Sequence, residues 1–371
     1  MSQTAIPAKV SVLVWMRCGG RCAFPGCNIP LWQDGLTLRQ MNAAHIAHIV
    51  ADRAGGPRGD RVLSRQLAKD PENLMLLCPV HSKLVDVDAP DDFPVERLRQ
   101  IRRDHEQRIE LQTSVHTDRR THVILFGAKI ADRQGEVNYA QACQALIGER
   151  YPADHAGFRI ELRQSPLAPG DAGYWEATAK YVAERCQQYL DGGQGLDGSP
   201  LAHLSLFALA PIPLLIAFGK AVGDIISADV YERHRAPQDW RWRMATEPDF
   251  DYQVIAPPNA TGDRVALKLS LSDVVPDSGI TAFLTPETPT YTITVNSPRR
   301  GFLEAKEQLE RFKFHWSGLL TDIRAKHGED CQVHVFAAVP ASIAVEIGRS
   351  LLPKSDARLF LYDYDREHGK F

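Results

Sequence analysis

The chain has 371 residues, 44% hydrophobic and 24% charged, with a formal net charge of −3. That length accommodates two or three domains with cores of their own, and the composition is globular rather than disordered or fibrous. No apolar run approaches the roughly 20 residues that span a bilayer, and the near-neutral balance excludes a chain that binds polyanions by composition alone. The N-terminus lacks the basic start and apolar core of a signal peptide, so the chain is expected in the cytoplasm, with no membrane partner. Charge is unevenly spread. Residues 1–70 hold nine Lys/Arg against four Asp, and everything after them is net acidic. A basic N-terminal module on an acidic body suits a part that meets nucleic acid.

The first module runs to about residue 118. Four of the seven cysteines (Cys18, Cys22, Cys27 and Cys78) fall in it, and in a reducing compartment such a cluster favours a metal over disulfides. Cys22-Ala-Phe-Pro-Gly-Cys27 and Cys78-Pro-Val-His81 supply three thiolates and an imidazole in two short pairs, the donor set of a closed structural zinc site. Cys18 is the spare and is expected to face the core. Between the pairs lies Ala44-His45-Ile46-Ala47-His48-Ile49-Val50, followed by Gly55-Gly56-Pro57 and Asn73. The module closes on residues 92–113, where Leu98, Ile101, His105 and Ile109 recur at helical spacing behind Pro94. Residues 114–120 read as a polar linker.

Apolar runs then alternate with amphipathic segments, the pattern of an α/β domain. Strands are predicted at 123–126, 158–162, 204–209, 266–270, 291–295, 333–337 and 359–362. Helices are predicted at 139–148, 174–190, 214–226, 301–326 and 342–351. One pattern occurs twice. Phe207-Ala-Leu-Ala-Pro211 precedes Gly219-Lys220 and a segment ending in Tyr231-Glu232; Phe336-Ala-Ala-Val-Pro340 precedes Gly348-Arg349 and a segment ending in Tyr362-Asp363. A strand, a proline turn and a helix repeated at one internal spacing predict two similar halves. Ligands in open α/β sheets sit beyond the carboxyl ends of strands, where such turns lie.

The first module resembles the ββα-metal motif of HNH endonucleases over about residues 10–112. In that motif a hairpin histidine is followed at +7 and +8 by Gly-Gly, which selects His48 over His45 as the matched residue. The resemblance implies that His48 is the general base on the attacking water. It also implies that the Asn73 amide pins the loop carrying His48, with His45 a further candidate in the catalytic set. Two positions depart from the pattern: Ala47 stands where a ligand is usual, and Ser82 where a second histidine is usual. His45 and Asp86 are the replacements expected to hold a catalytic Mg²⁺ or other divalent ion with the Ser82 position.

Residues from about 119 onward resemble a SAVED domain, carried by Val333-His-Val-Phe-Ala-Ala-Val-Pro340-Ala-Ser342, Gly348-Arg349-Ser350 and Leu361-Tyr362-Asp363. The implied architecture is α+β: a zinc-stapled HNH domain at 1–118, then an α/β SAVED domain at 119–371 of two CARF-like Rossmannoid halves, about 119–255 and 256–371. An HNH–SAVED fusion is the architecture of an effector in CBASS, the bacterial anti-phage system. The resemblance therefore implies a metal-dependent endonuclease on double-stranded DNA, switched on by a cyclic di- or trinucleotide. It would act as a homo-oligomer, a dimer or, when active, a tetramer. Candidate nucleotide contacts are backbone N–H groups after Pro211, Pro213, Pro340 and Ser342 at helix N-termini, the Tyr362 ring, and Trp240-Arg241-Trp242-Arg243 as stacking faces interleaved with guanidiniums. The same run also fits a strand with buried Trp and exposed Arg, and Lys220 and Arg349 fit packing roles inside their helices. Two other functions fit these residues: a constitutive HNH restriction enzyme with a C-terminal DNA-recognition domain, and a non-catalytic zinc-dependent DNA-binding regulator.

Overall fold

The basic N-terminal stretch and the acidic remainder fold as separate units, Met1–His116 and Thr117–Phe371, in the computed structural model. The structure describes residues 4–130, 133–162, 170–245, 250–258, 261–351, 357–364 and 371. Among these no helix is long and apolar enough to cross a membrane.

The first unit contains α1 (Ala8–Arg17), β1 (His45–His48), α2 (Leu63–Leu67), β2 (Leu74–Leu77), α3 (Pro79–Lys83) and α4 (Val95–Thr113). β1 and β2 pair antiparallel, with His45 opposite Leu77 and His48 opposite Leu74. All four β2 side chains are buried, and they form the core with Val14, Cys18, Leu31, Ile49 and Leu98. Cys18 is a core residue, as expected. α4 starts after Pro94, whose extended backbone (ψ 162°) cannot belong to the helix. Its buried stripe of Leu98, Ile101 and His105 also takes in Arg102. That charge is tolerated there because Glu72 and Glu106 pair with it at 2.8 and 2.9 Å.

The second unit opens with β3 (Arg120–Gly127), β4 (Lys129–Ile130), β5 (Arg133–Gln134), α5 (Tyr139–Leu146), β6 (Tyr151–Pro152), β7 (Phe158–Glu161), α6 (Tyr174–Leu190), β8 (Leu204–Leu209), α7 (Ile212–Val222) and β9 (Ala228–Tyr231). It continues with β10 (Gln253–Ile255), β11 (Arg264–Ser270), α8 (Asp277–Thr281), β12 (Thr290–Thr294), α9 (Lys306–His327), β13 (Gln332–Ala338), α10 (Ala341–Arg349) and β14 (Arg358–Tyr362). β7, β3, β8 and β9 pair parallel in that order, with short β6 also beside β3. The second sheet runs β10-β12-β11-β13-β14, parallel except for β10. β10 belongs to the second sheet, so the second half begins before residue 253 rather than at 256. Both sheets have the doubly wound order, reversing between β3 and β8 and between β11 and β13.

The repeated pattern is a structural repeat. Phe207 lies opposite Tyr231 and Phe336 opposite Tyr362. The two pairs stack alike, with ring centroids 4.4 Å apart and interplanar angles of 11° and 9°. The glycines explain the rest of the pattern. α7 and α10 pack against each other where Gly219 meets Gly348: a Cβ on Gly219 would lie 2.0 Å from Val345 O, and one on Gly348 would lie 1.9 Å from Ile216 O. Backbone touches backbone there, so only hydrogen fits. α7 ends at Val222, short of the expected 226, because Gly223 turns to φ +66°. α9 begins at Lys306 rather than 301 because Gln308 Oε1 turns back to accept from the N–H groups of Glu304 and Ala305 at 2.7 and 3.0 Å.

Alanine is worth about 1 kcal/mol more than glycine inside a helix, but overpacking costs about 1–3 kcal/mol, and a backbone neighbour cannot rotate away. Gly348→Ala is therefore expected to lower the urea unfolding midpoint of the second unit, and a raised midpoint would contradict the crossing described.

Candidate functional site

Cys22, Cys27, Cys78 and His81 come together, their ligand atoms all within 4.8 Å of one another. His81 Nδ1 lies 3.1 Å from Cys78 Sγ and 3.6 Å from Cys22 Sγ. Donors on a tetrahedral zinc sit about 3.3–3.8 Å apart, so the four residues could hold a metal ion. Local structure presets them. Cys78 is the N-cap of α3, accepting from His81 N–H on its sulfur at 3.5 Å. The His81 ring stacks on Phe24 at 4.0 Å, fixing its direction. Burial, with Cys78 and Cys27 adding to it, pushes the Cys22 thiol up to about 12, which a bound cation would reverse.

His48 is 6% exposed and its Nε2 lies 2.9 Å from Ala68 O. An imidazole that donates to a carbonyl through one nitrogen keeps the other as an acceptor. Asn73 binds the chain just past His48 from both ends of its amide: Oδ1 accepts from Val50 N–H at 2.8 Å, and Nδ2 donates to Val50 O at 2.8 Å. The turn carrying Asn73 is itself held by Glu72, which pairs with Arg102 of α4 and Arg17 of α1. Those guanidiniums, Arg102 first, hold the Glu72 carboxyl down at about 2.

The expected catalytic-metal residues do not form a comparable group. His45 is exposed, on the opposite side of β1 from buried His48. Asp86 Oδ1 is taken by Arg58 Nη2 at 2.6 Å. Ser82 is a half-buried residue of α3 whose N–H donates to Cys78 O. Among the described residues the Cys/His set is the only cluster of three or more His, Cys, Asp or Glu donors placed to share an ion. Arg58, which sequence gave no reason to single out, also donates to Ile49 O at 2.9 Å and Val85 O at 2.7 Å.

At the carboxyl ends of the second unit's strands, several expectations need correction. Trp240 is 1% exposed and edge-on to Phe207 at 5.3 Å, so it is a core residue and offers no face to a base. Trp242 is half-buried and edge-on to His234. Arg241 is exposed, its Nε donating to Gln144 O. The run is not the strand of buried Trp and exposed Arg that one reading had: Trp240 is buried and Arg241 exposed, but Trp242 and Arg243 are both half-buried, and no strand forms. Pro211 caps α7 and Pro213 lies in its first turn. Pro213 has no N–H, and the N–H groups of Leu214 and Leu215 donate to Pro211 O, so that turn is a poor phosphate cradle. Pro340 caps α10, but the N–H and hydroxyl of Ser342 already donate to Glu232 Oε2 at 2.8 and 2.7 Å. The carboxylate comes from the other half. Burial pushes it up from its ordinary value. Tyr362 has one face on Phe336, and its hydroxyl lies 2.8 Å from His334 Nδ1. Lys220 is exposed, whereas Arg349 packs inside, donating to Gly223 O at 3.1 Å and Glu346 at 2.9 Å.

Two fused doubly wound halves, joined where the ends of β9 and α10 meet, define an α/β domain of the ligand-binding type. The profile of the SAVED family, the SMODS-associated and fused to various effectors sensor domain, matches residues 183–371. That span is half of the chain, and the chain belongs to this family. Among solved structures it is similar to the Cap4 SAVED/CARF-domain containing receptor of Acinetobacter baumannii with the cyclic trinucleotide 2'3'3'-cAAA, at 12% identity and a TM-score of 0.44, over 76% of this chain and 54% of that one. The same receptor with 3'3'3'-cAAA gives 11%, 0.43, 76% and 54%. The Cap4 receptor of Moraxella osloensis gives 9%, 0.41, 83% and 68%. The chain thus spans about half the length of the first receptors it matches. No curated protein matches it.

Replacing Cys78 by Ser removes a thiolate, and structural zinc in small modules carries about 10–16 kcal/mol of folding free energy. If the cluster holds zinc, Cys78→Ser, or strong chelation of the parent, is expected to strip it and melt the first unit while the second stays folded. Elemental analysis and a two-transition melt read this, and a zinc-free first unit with an unchanged melt would remove the staple.

Proposed function

We propose that the chain is an anti-phage effector in which a cyclic di- or trinucleotide, bound by the SAVED domain, switches on an HNH-type endonuclease acting on double-stranded DNA. The observation that carries this reading is the His48–Asn73 arrangement on a Cys/His-stapled hairpin, in the same chain as a sensor domain. The four-residue cluster would hold structural zinc, and its contribution is rigidity: it ties the loop of Cys22 and Cys27 to the junction of β2 and α3. With Nε2 held by Ala68 O, His48 would take the proton from a water attacking the scissile phosphodiester through Nδ1. Asn73 fixes the Val50 backbone and so the direction of the imidazole two residues earlier. No step is assigned to a catalytic metal, because Asp86 is engaged by Arg58 and His45 stands apart. The acidic balance of the second unit weighs against direct duplex binding there.

Activation requires the nucleotide to bind one assembly of the chain more tightly than another. A homo-oligomer that brings two nuclease modules to opposite strands would produce double-strand breaks.

A second reading, a zinc-dependent DNA-binding protein without catalysis, is favoured by the Arg58–Asp86 pair and by the burial of His48. Plasmid cleavage separates the two. With Mg²⁺ or Mn²⁺ present, cutting is expected only when a cyclic oligonucleotide from a di- and trinucleotide panel is added. His48→Ala is expected to lower the rate by at least about 100-fold while leaving nucleotide affinity unchanged. Equal cutting without nucleotide would sink the regulated reading, and none under any condition would favour the binding protein.

A further inference from the structure

Both helix N-termini at the strand ends are compromised as phosphate sites, one by Pro213 and the other by the Glu232 carboxylate. A phosphodiester ring still needs a cation. The residue after Glu232 supplies one. Arg233 lies two residues beyond the carboxyl end of β9, and its guanidinium carbon sits 5.5 Å from the Trp240 ring centroid. Its Nη1 is buried and has no hydrogen-bond partner. The acidic group facing it is Asp239, whose Oδ1 lies 3.6 Å from Arg243 Nη2 and makes no hydrogen bond of its own. The adjacent Glu232 carboxylate is spent on Ser342 across the two halves.

Leaving a guanidinium nitrogen buried and unbonded is costly, and such groups call for an explanation. The fold keeps this one in place from below. Trp240 is locked edge-on against Phe207, which stacks on Tyr231, the last residue of β9. The Trp-Arg run noticed in the sequence thus acts through its buried tryptophan, as the platform under an arginine from another segment. A planar guanidinium held over an aromatic ring, half-buried and with Nη1 unbonded, matches the charge and geometry of a phosphate.

Resting on the proposed cyclic-oligonucleotide reading, we infer that Arg233 binds a phosphate of the nucleotide and that Trp240 positions it. Residues 232 and 233 then divide two tasks: Glu232 ties the halves together and Arg233 holds the ligand.

The test is calorimetric titration of the full chain with cyclic di- and trinucleotides, 3'3'3'-cAAA among them, with melting curves of each unliganded variant. Arg233→Met keeps the apolar stem over Trp240, and Arg233→Gln keeps a polar end. Each is expected to weaken binding by at least about tenfold, the range for losing a charge-assisted hydrogen bond. The dependence of log Kd on log salt is expected to flatten by nearly one ion. Arg233→Lys should fall between these variants and the parent, because a point charge replaces a fork. A variant that melts like the parent and binds like it overturns the assignment to Arg233 while the nucleotide reading stands. A parent chain that binds no member of the panel overturns both.

Discussion

The architecture of the second unit depends on one steric fact: two helices touch backbone to backbone at Gly219 and Gly348. Any side chain there would push α7 and α10 apart. Because they are in contact, the turns before them are brought together, and the end of β9 reaches the start of α10. The polar bonds between the halves follow from that approach. Glu232 meets the first turn of α10, and Arg349 near its other end meets Gly223 O. The large core cluster runs through both sheets, so the halves share an interior and are not merely tethered.

The repeat is close at the crossing and in the aromatic stacks, and it diverges where a ligand would touch it. Ser342 has Pro213 as its counterpart, so one first turn has a donor and a hydroxyl where the other has neither. Arg233 has Tyr364 as its counterpart, 40% exposed and edge-on to Phe371. One half therefore offers a guanidinium and the other an aromatic face at matching positions. The two halves share a frame, and their turns carry different chemistry.

What was legible in the sequence followed from spacing. Cysteine pairs and a Gly-Lys/Gly-Arg echo are local patterns whose geometry is nearly fixed by chain connectivity, so the Cys/His cluster and the repeat could be read directly. The Trp240 run left two readings open because local sequence does not say which ring meets solvent; Phe207, thirty-three residues earlier, decides it for Trp240. The Ser342 position was misread because a helix N-terminus attracts any anion, and a carboxylate 110 residues away reached it first. Arg58 and Arg102 gave no signal, since a buried arginine is defined by the long-range carboxylates and carbonyls that accept its protons.

These contacts differ in how they can respond to a ligand. The glycine crossing has no side chain to rotate, so sliding one helix along the other would collide backbone with backbone. The Glu232–Ser342 bond is different: it is a side-chain carboxylate on two donors, which rotation of either side chain can break and remake. It is also one residue from the Arg233 guanidinium. A phosphate on that cation, as proposed above, would lie beside the polar bond between the halves. Differential affinity for two packings, which any activation requires, is most directly generated there. The crossing is fixed by backbone contact, and the side-chain bond beside it is the contact that can be exchanged.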